Sequence, residues 1–478
     1  MTFSSLTFLV FFAIVYLLIL TFNNKKICKK TDDKKLLKIK HIILLIASYI
    51  FYGWWDYRFC FLMIALTATA WLCAKQINAN KSKRLFTFIG VTVPLLVLAF
   101  FKYFNFFIES FTHLFSINAP NALNIILPVG ISFYTFQSMS YTIDVLRGST
   151  KSYSFTDVAL YVSFFPQLVA GPIVKASEFM PQLEANHKLK LSDFSQGIQI
   201  FTFGLFKKLV MADNLSVFVD DVFEKPLAFS SFTVILAVIS YSIQIYCDFS
   251  GYSDMAIGVA RCLGYHFNRN FNMPYISRNV TEFWKRWHIS LSTWLQEYLY
   301  IPLGGNRKGK VRRYINLILT MVLGGLWHGA NYTFVIWGFL HGFALCAHKI
   351  FLSFRKKKTT VIGSAISVIS TYIFVCICWI FFRAESADIA IDIIRHIFAW
   401  NSGITQIYSW SVICIVIVIA ASLIAIFKAH KNCSNTINGF YPILNLNKIP
   451  SLALFFTVIL LILCLAYTNA NPFIYFQF

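Results

Sequence analysis

His328 is the residue whose surroundings most favour chemistry. It lies in residues 324–331, GGLWHGAN, where two apolar segments meet. Burial at such a depth disfavours the imidazolium form, and a neutral histidine can accept a proton as a general base. The flanking glycines also allow a substrate to approach closely. The alternative is a structural histidine that bonds between closely packed helices, and the segment alone favours neither interpretation.

His288 belongs to a predicted amphipathic helix that runs from Glu282 to Tyr300. Six side chains recur at spacings of three or four and share one face: Trp284, Trp287, His288, Leu291, Trp294 and Leu295. Glu282 and Arg286 are spaced to form an ion pair on the other face. Because Trp and Tyr favour the membrane interface, the simplest interpretation is a surface helix that orients the protein. The alternative is a segment buried in the protein or lining a cavity.

The remaining histidines carry weaker signals. His341 follows in an apolar span without an evident partner and is expected to join helices. Six others lie in loops or at segment ends, where a histidine is usually interfacial or solvated: His41, His113, His187, His348, His396 and His430.

One further segment, QIYCDFSGYSD, carries carboxylates after a hydrophobic run. Its Asp248 and Asp254 can pair with an arginine such as Arg261 or orient a histidine, and structural pairing is the simpler role. The chain contains no nucleophile elbow, P-loop, zinc-protease or dinucleotide-binding motif. The cysteines lie largely in apolar stretches without a C-x-x-C pair, so we predict no metal site.

The composition indicates a membrane protein. Hydrophobic residues make up 58% of the chain and charged residues 13%, against about 25% charged in soluble domains. So few polar residues cannot cover a water-soluble fold of this length. The net charge of +22 could suggest nucleic-acid binding, but the basic residues occur in short runs between apolar segments, as at the cytoplasmic ends of spanning helices. We therefore predict a lipid bilayer as the surroundings and no nucleic-acid partner.

Apolar segments recur along the whole chain and predict an all-α polytopic membrane protein, with 1–478 as a single integral membrane domain. Roughly 11–13 spanning or re-entrant helices are expected. The segments lie near 6–22, 41–55, 59–74, 85–107, 125–145, 158–173, 197–212, 231–247, 314–327, 331–350, 361–382, 409–427 and 450–468. The first is interpreted as an anchor rather than a signal peptide, because it lacks a basic start and a cleavage site.

Loop charges predict the orientation. Basic loops are expected in the cytoplasm: 25–40, 75–84, 304–313, 354–358 and 428–448. The loop near 108–124 lacks Lys and Arg, and 383–408 is nearly balanced, so both are expected outside. The final apolar segment then leads out of the cytoplasm, and both termini are predicted to be extracytoplasmic.

Three parts of the chain together resemble the bacterial membrane-bound O-acyltransferase (MBOAT) family, in the branch of alginate and peptidoglycan O-acetyltransferases. The first is QIYCDFSGYSDMAIG followed by FNMPYISRNVTEFWKRWHISLSTWLQEYLYIPLGGNRKG, within 244–309. The second is YVSFFPQLVAGPI at 161–173, and the third is LGGLWHGANYTFVIWGFLHG. These matches cover the central half of the chain, while the ends are similar mainly in hydrophobicity. The D-alanine exporter branch is related but matches less well.

The resemblance implies a site and a fold. His328 maps to the essential catalytic histidine and His288 to the second family histidine, within a catalytic core segment at 244–342. The implied fold surrounds a thin central region, with a cytoplasmic entrance and an outer funnel. Supporting or tunnel-lining residues are expected at six further positions: Trp327, Asn331, Trp287, Asp248, Tyr246 and Ser250.

The resemblance also implies substrates and a location. Acetyl-CoA is the expected donor and is a substrate, so no bound cofactor is expected. The basic residues Arg307, Lys308 and Lys310 could attract it by charge. The acceptor is expected to be an exopolysaccharide or peptidoglycan, reached through a periplasmic or extracellular acetyltransferase partner. The implied location is the bacterial cytoplasmic (inner) membrane.

The last residues, NPFIYFQF, resemble the F-x-Y-x-x-F acyl-carrier motif of MBOAT systems. The resemblance makes Tyr475 a candidate to hold the acyl group, within a tail at 469–478 that the charge pattern places outside. The alternative is an aromatic anchor at the membrane interface.

Other classes of function stay open at this point. A transporter or flippase also uses broken helices and buried polar residues, but it needs no acyl donor. A D-alanyl-type exporter would use a different acyl group. A passive scaffold for polysaccharide export would tolerate the loss of both His288 and His328.

Overall fold

The computed structural model describes residues 1–23, 32–117, 123–185, 189–354, 360–431, 443–467 and 473–474, with only the backbone of 428–431. The described residues form helices joined by loops, with an isolated parallel bridge between Phe229 and Ile404. The α-helices are α1 Leu6–Asn23, α2 Asp33–Asp56, α3 Arg58–Asn78, α4 Lys83–Leu98, α5 Phe104–Leu114, α6 Ile131–Arg147, α7 Phe155–Ser163, α8 Ala176–Glu184, α9 Leu191–Leu205, α10 Asp213–Glu224, α11 Ser231–Cys262, α12 Val280–Trp284, α13 Ile289–Leu295, α14 Gly309–His328, α15 Tyr332–Phe354, α16 Val361–Arg383, α17 Ala387–Ala399, α18 Ser409–Lys431 and α19 Ile449–Leu465. Three π-helical segments are Ala99–Tyr103, Phe206–Ala212 and Gln296–Tyr300, and two 3-10 turns are Pro226–Ala228 and Pro274–Ile276.

Seven helical stretches within the described ranges are long and apolar enough to cross a membrane. They are Asp33–Asp56, Arg58–Asn78, Lys83–Leu114, Ser231–Cys262, Tyr332–Phe354, Val361–Arg383 and Ser409–Phe427. Two shorter apolar helices are Leu6–Phe22 and Ile449–Leu465. The predicted all-α, multi-pass membrane protein is therefore confirmed.

The apolar segment predicted near 158–173 forms a helix that is too short to span the membrane. α7 has 9 residues, or about 14 Å of helix, roughly half the thickness of the hydrocarbon core. The chain then turns through 164–171, and every side chain there is buried. At this point the hydrophobic run reflects burial inside the protein, because non-helical backbone at membrane depth must be covered by protein.

The chain divides into two compact units. The first comprises Met1–Phe201 and Tyr252–Asn268, and the second comprises Thr202–Gly251 and Arg269–Phe478. In the first unit, the backbone N–H of Phe165 donates to Ser48 Oγ at 3.1 Å and so ties the turn after α7 to α2. The Phe165 ring packs against Phe51 at a centroid distance of 5.8 Å.

The expectation of solvated histidines is wrong at two positions. In the first unit His41 is buried, and its Nδ1 lies 3.0 Å from Asp157 Oδ1. In the second unit His396 is buried, and its Nε2 lies 2.8 Å from the carbonyl oxygen of Phe229. His41 lies inside α2 and His396 in the last turn of α17. Other segments cover both positions, which a local pattern of charges does not reveal. His113 is exposed as expected, whereas His187 and the side chain of His430 lie outside the described residues.

In the second unit, α14 and α15 form an antiparallel pair held close by glycines. An added methyl at Gly338 would overlap the carbonyl oxygen of Met321, and one at Gly325 would overlap that of Phe334. The two backbones therefore approach as in other small-residue contacts between membrane helices. Because His328 ends α14, this contact also sets the position of its imidazole.

The glycine contact gives a first prediction. Gly338→Ala is expected to lower the free energy of unfolding by about 1–3 kcal/mol, because an overpacked contact must separate. The matched control is Gly324→Ala, whose added methyl meets only the movable Cδ1 of Leu295, at 3.0 Å. The measurement is the midpoint of thermal unfolding in detergent for both variants. Equal midpoints would mean that the α14–α15 contact does not depend on the glycine.

Candidate active site

The segment around His288 is broken, which corrects the prediction of one continuous helix from Glu282 to Tyr300. α12 ends at Trp284, α13 begins at Ile289, and residues 296–300 are π-helical. At the break His288 adopts a left-handed backbone conformation, with φ of 42°. The backbone N–H of Ile289 donates instead to the carbonyl oxygen of Asn270 at 2.9 Å. A tertiary hydrogen bond thus replaces the helical one at this point.

The six side chains of the predicted apolar face are nevertheless all buried. The surface-helix interpretation is therefore wrong, and the alternative of a segment buried in the protein is confirmed. The predicted ion pair is also present, since Arg286 Nη2 lies 2.9 Å from Glu282 Oε1.

Hydrogen bonds determine which nitrogen of His288 carries the proton. Asn270 Oδ1 accepts from the backbone N–H of Ser290 at 3.1 Å, which identifies this atom as the amide oxygen. His288 Nδ1 lies 3.2 Å from the same oxygen and must therefore donate to it. In the neutral ring the remaining nitrogen, Nε2, then carries a lone pair. Among the described residues, no group hydrogen-bonds Nε2.

Burial also keeps the His288 ring neutral. The side chain has an exposed fraction of 0%, and this burial lowers its pKa to about 3. Desolvation penalises the charged form, so the imidazole stays unprotonated at neutral pH. The site thus contains a fixed, neutral hydrogen-bond acceptor inside the protein.

His328 lies at the last residue of α14, where Gly329 turns the backbone to an extended conformation. Its exposed fraction is 3%. The ring lies 5.1 Å from Trp337 and 5.3 Å from Phe382, measured between centroids. Trp327 links the two histidines, at 6.0 Å from His288 and 5.0 Å from His328. The structure therefore brings both predicted histidines into one buried aromatic cluster.

The other predicted residues divide between this cluster and its supports. Trp287 is buried in the cluster, with its ring centroid 4.9 Å from that of Trp379. The Tyr246 ring lies 6.3 Å from the Trp287 ring. Ser250 Oγ accepts from Lys207 Nζ at 3.0 Å. Asn331 holds the start of α15, because its Oδ1 accepts from the N–H of Thr333 at 3.0 Å and its amide donates to the carbonyl oxygen of Glu385 at 2.9 Å.

Sequence reasoning missed a buried ionic group beside the cluster. Lys208 Nζ lies 2.7 Å from Asp213 Oδ1 and 2.7 Å from Asp248 Oδ1. All three side chains are buried. Lys208 stands in the apolar segment predicted near 197–212, and a lysine at such depth is itself a signal that could have found the group. Asn270 and its role toward His288 carried no comparable signal.

The C-terminal tail reaches this ionic group. The backbone N–H of Ile474 donates to Asp248 Oδ2 at 2.9 Å. The Phe473 ring lies 5.7 Å from Phe249, which in turn lies 4.6 Å from His288. Tyr475 itself, like most of the predicted 469–478 tail, lies outside the described residues.

A cavity of about 280 Å³ lies along α14. Its lining combines apolar side chains with Lys285 and Lys349, and it includes Leu317, Thr320 and Met321 of α14. The basic residues Arg307, Lys308 and Lys310 are exposed at the start of the same helix. His341, opposite the cavity residue Trp284, accepts from the indole N–H of that residue at 3.3 Å, so His341 does join helices as expected.

A multi-pass helical fold with two histidines in a buried aromatic centre defines a class of membrane enzymes. The family model described as MBOAT, membrane-bound O-acyltransferase family, matches residues 42–386. The chain belongs to this family and is an acyltransferase.

Three relatives show which members it is similar to. One is named probable alginate O-acetylase AlgI, from Azotobacter vinelandii, and is 37% identical over 92% of this chain and 95% of its own length. A Pseudomonas aeruginosa protein of the same name is 40% identical over 76% of this chain and 71% of its own length. A peptidoglycan O-acetyltransferase from Helicobacter pylori is 38% identical over 75% of this chain and 73% of its own length.

Proposed function

We propose that this enzyme takes an acetyl group from cytoplasmic acetyl-CoA and passes it outward for O-acetylation of an extracytoplasmic polysaccharide. The observation that carries the proposal is the contact between the tail and the histidine cluster, which runs from Phe473 through Phe249 to His288. The names of the relatives support an alginate-like polymer or peptidoglycan as the acceptor. The final acceptor is reached through a transferase partner outside the membrane.

The donor enters along α14. This helix has 20 residues, so the basic residues at its start and His328 at its end are about 30 Å apart. The cavity lies between these ends, near Leu317 and Met321. The thin pantetheine arm occupies this cavity as it extends towards His328, while the charged nucleotide stays at the basic end, where Arg307, Lys308 and Lys310 attract its phosphates.

The chemical step is an acyl transfer to Tyr475. The phenolic oxygen attacks the thioester carbonyl carbon while the His328 imidazole accepts the phenolic proton, which is needed because the ordinary pKa of tyrosine is about 10. The C–S bond then breaks, and the CoA thiolate leaves with that proton as the free thiol. A hydroxyl of the partner or polymer later attacks the acetyl ester, and Tyr475 regains its proton.

His288 orients the attacking group. As the tail approaches, the one hydroxyl proton of Tyr475 hydrogen-bonds to the Nε2 lone pair of His288, and it turns to His328 when the phenolic oxygen attacks the thioester. Asn270 keeps the Nε2 lone pair available by holding the imidazole proton on Nδ1. The Trp327 ring contacts both imidazoles, at centroid distances of 6.0 Å from His288 and 5.0 Å from His328. An acceptor and a base that pack against one indole can therefore act in turn on the same hydroxyl.

The experiment is transfer of label from radioactive acetyl-CoA to the purified protein in nanodiscs. Wild type is expected to become labelled, and Tyr475→Phe is expected to lose the label because it lacks the nucleophilic oxygen. Tyr467→Phe is the matched control, since it removes a hydroxyl near the same end of the chain, and it should label like wild type.

Three other outcomes would redirect the proposal. Label that survives in Tyr475→Phe would keep an acetyltransferase but remove the tail as carrier. Transport of a solute without any requirement for acetyl-CoA would favour the transporter class. A preference for a D-alanyl donor over acetyl-CoA would place the chain with the exporters of that amino acid.

A further inference from the structure

Asp248 connects two parts of the chain that are far apart in sequence. It lies in α11, and its Oδ2 accepts the backbone N–H of Ile474, a residue 226 positions later, at 2.9 Å. Asp248 has an exposed fraction of 1%, Phe473 of 3% and Ile474 of 6%. The contact is therefore made in the interior of the second unit.

The charges around Asp248 make this hydrogen bond a strong one. Lys208 lies 2.7 Å from a carboxylate oxygen of both Asp213 and Asp248, so one ammonium serves two acids. When both acids are ionised the group carries one excess negative charge in a buried place. A backbone N–H directed at a carboxylate stabilises that charge, because charge-assisted hydrogen bonds are stronger than neutral ones.

We propose that Asp248 is a positioning residue that seats the C-terminal tail beside His288. Its carboxylate fixes the backbone at Ile474, and the neighbouring Phe473 ring packs against Phe249. Tyr475 is bonded to Ile474, so this seat limits where its hydroxyl can reach. The inference rests on the proposed role of Tyr475 as acyl carrier, and it assigns the tail-binding site within that function.

A purely structural role for Asp248 would consist of its pairing with Lys208. The two roles can be separated because the tail contributes a backbone donor. Ile474→Pro removes that N–H and leaves the Lys208 group unchanged, and the turn conformation at this residue suits the backbone angle of proline. Ile474→Ala is the matched comparator, since it shortens the side chain and keeps the N–H.

The first readout is the rate of labelling from radioactive acetyl-CoA, with the full-length protein in nanodiscs. Ile474→Pro is expected to label about 10- to 100-fold more slowly than Ile474→Ala, which is the effect of losing a hydrogen bond to a charged acceptor. Asp248→Ala is expected to lose about as much. Asp248→Asn should recover part of the rate, because it keeps an acceptor oxygen and leaves Lys208 paired with Asp213.

The second readout is the rate at which carboxypeptidase releases the last residues, which needs no acyl transfer. A seated tail resists carboxypeptidase. The last residues should therefore be released faster from Ile474→Pro and Asp248→Ala than from wild type and Ile474→Ala. If the tail is seated but Tyr475 carries no acetyl group, this difference persists while wild type takes no label. The proposed function would then fail while the seat stands.

A double variant completes the test. In the protein that carries both Asp248→Ala and Ile474→Pro, the labelling rate and the rate of carboxypeptidase release should equal those of the more affected single variant. The reason is that both substitutions remove the same interaction. Additive effects, or an Ile474→Pro protein that labels and resists carboxypeptidase like Ile474→Ala, would overturn the proposal. The Asp248→Asn variant guards against misfolding, since its unchanged elution and unfolding midpoint would show that the Lys208 group tolerates the loss of one charge.

Discussion

Replacing His328 by alanine is expected to slow acetyl transfer by about 10²- to 10⁴-fold, the usual contribution of a general base. The reason is that the phenolic proton of Tyr475, with an ordinary pKa near 10, has no acceptor once the imidazole is removed. The measurement is release of CoA thiol from acetyl-CoA together with labelling of the protein. Both should fall together, because the same proton transfer precedes both.

Two further variants sharpen the His328 experiment. His113→Ala removes an exposed histidine of the first unit and should leave both rates unchanged. His328→Gln keeps a polar side chain of similar size but no base, so it should resemble the alanine variant. A His328→Ala protein that still transfers acetyl at the wild-type rate would leave the base elsewhere, and His288 would be the next residue to examine.

The sequence predicted that the chain is helical and that His288 and His328 matter together. It predicted the lengths of the helices and the break at His288 less well. Hydropathy reports which segments leave water, but it does not distinguish a bilayer crossing from a short buried helix. This is why the segment near 158–173 contains the end of α7, a helix of only 9 residues, and a buried turn. Periodicity likewise identified the buried face that includes His288. It could not foresee that Asn270 would take the hydrogen bond that breaks the helix there.

The site was predictable where the signal was local and missed where it was tertiary. The pair Glu282–Arg286 follows from their spacing and is present. The contact from Ile474 to Asp248 bridges 226 positions, and no local pattern encodes it. A lone sequence offered one clue, a lysine at 208 inside an apolar run, because a buried charge requires partners.

His288→Ala should reduce acetyl transfer by about 10- to 100-fold, less than the loss at His328. The substitution removes a neutral acceptor that orients the attacking hydroxyl, and misorientation of this kind costs about this much in rate. The measurement is the labelling rate at saturating acetyl-CoA, which separates orientation from donor binding. A lowered affinity for acetyl-CoA with an unchanged maximal rate would instead make His288 a donor-binding residue.

Asn270→Asp tests the role of His288 by changing the protonation of its imidazole. In wild type His288 is neutral, because burial lowers its pKa to about 3. A carboxylate in place of the amide oxygen, 3.2 Å from Nδ1, favours the imidazolium and raises the pKa of His288, by roughly 1–3 for a close opposite charge. As pH falls through the raised pKa, Nε2 gains a proton and can no longer accept a hydrogen bond. Because the raised pKa lies at about 4 to 6, the ratio of variant to wild-type labelling rates should decline from about pH 7 to about pH 4.

The matched control is Asn272→Asp, the same change two positions away, at a side chain that contacts Arg269 rather than His288. Its rate ratio should not change with pH over this range, because the carboxylate does not face the imidazole. Using ratios removes the effect of other groups that titrate in both proteins, such as Asp213, whose pKa burial raises to about 6. If Asn270→Asp gave a ratio independent of pH, the Nε2 lone pair of His288 would not take part in the transfer. The orienting role would then pass to another acceptor in the aromatic cluster.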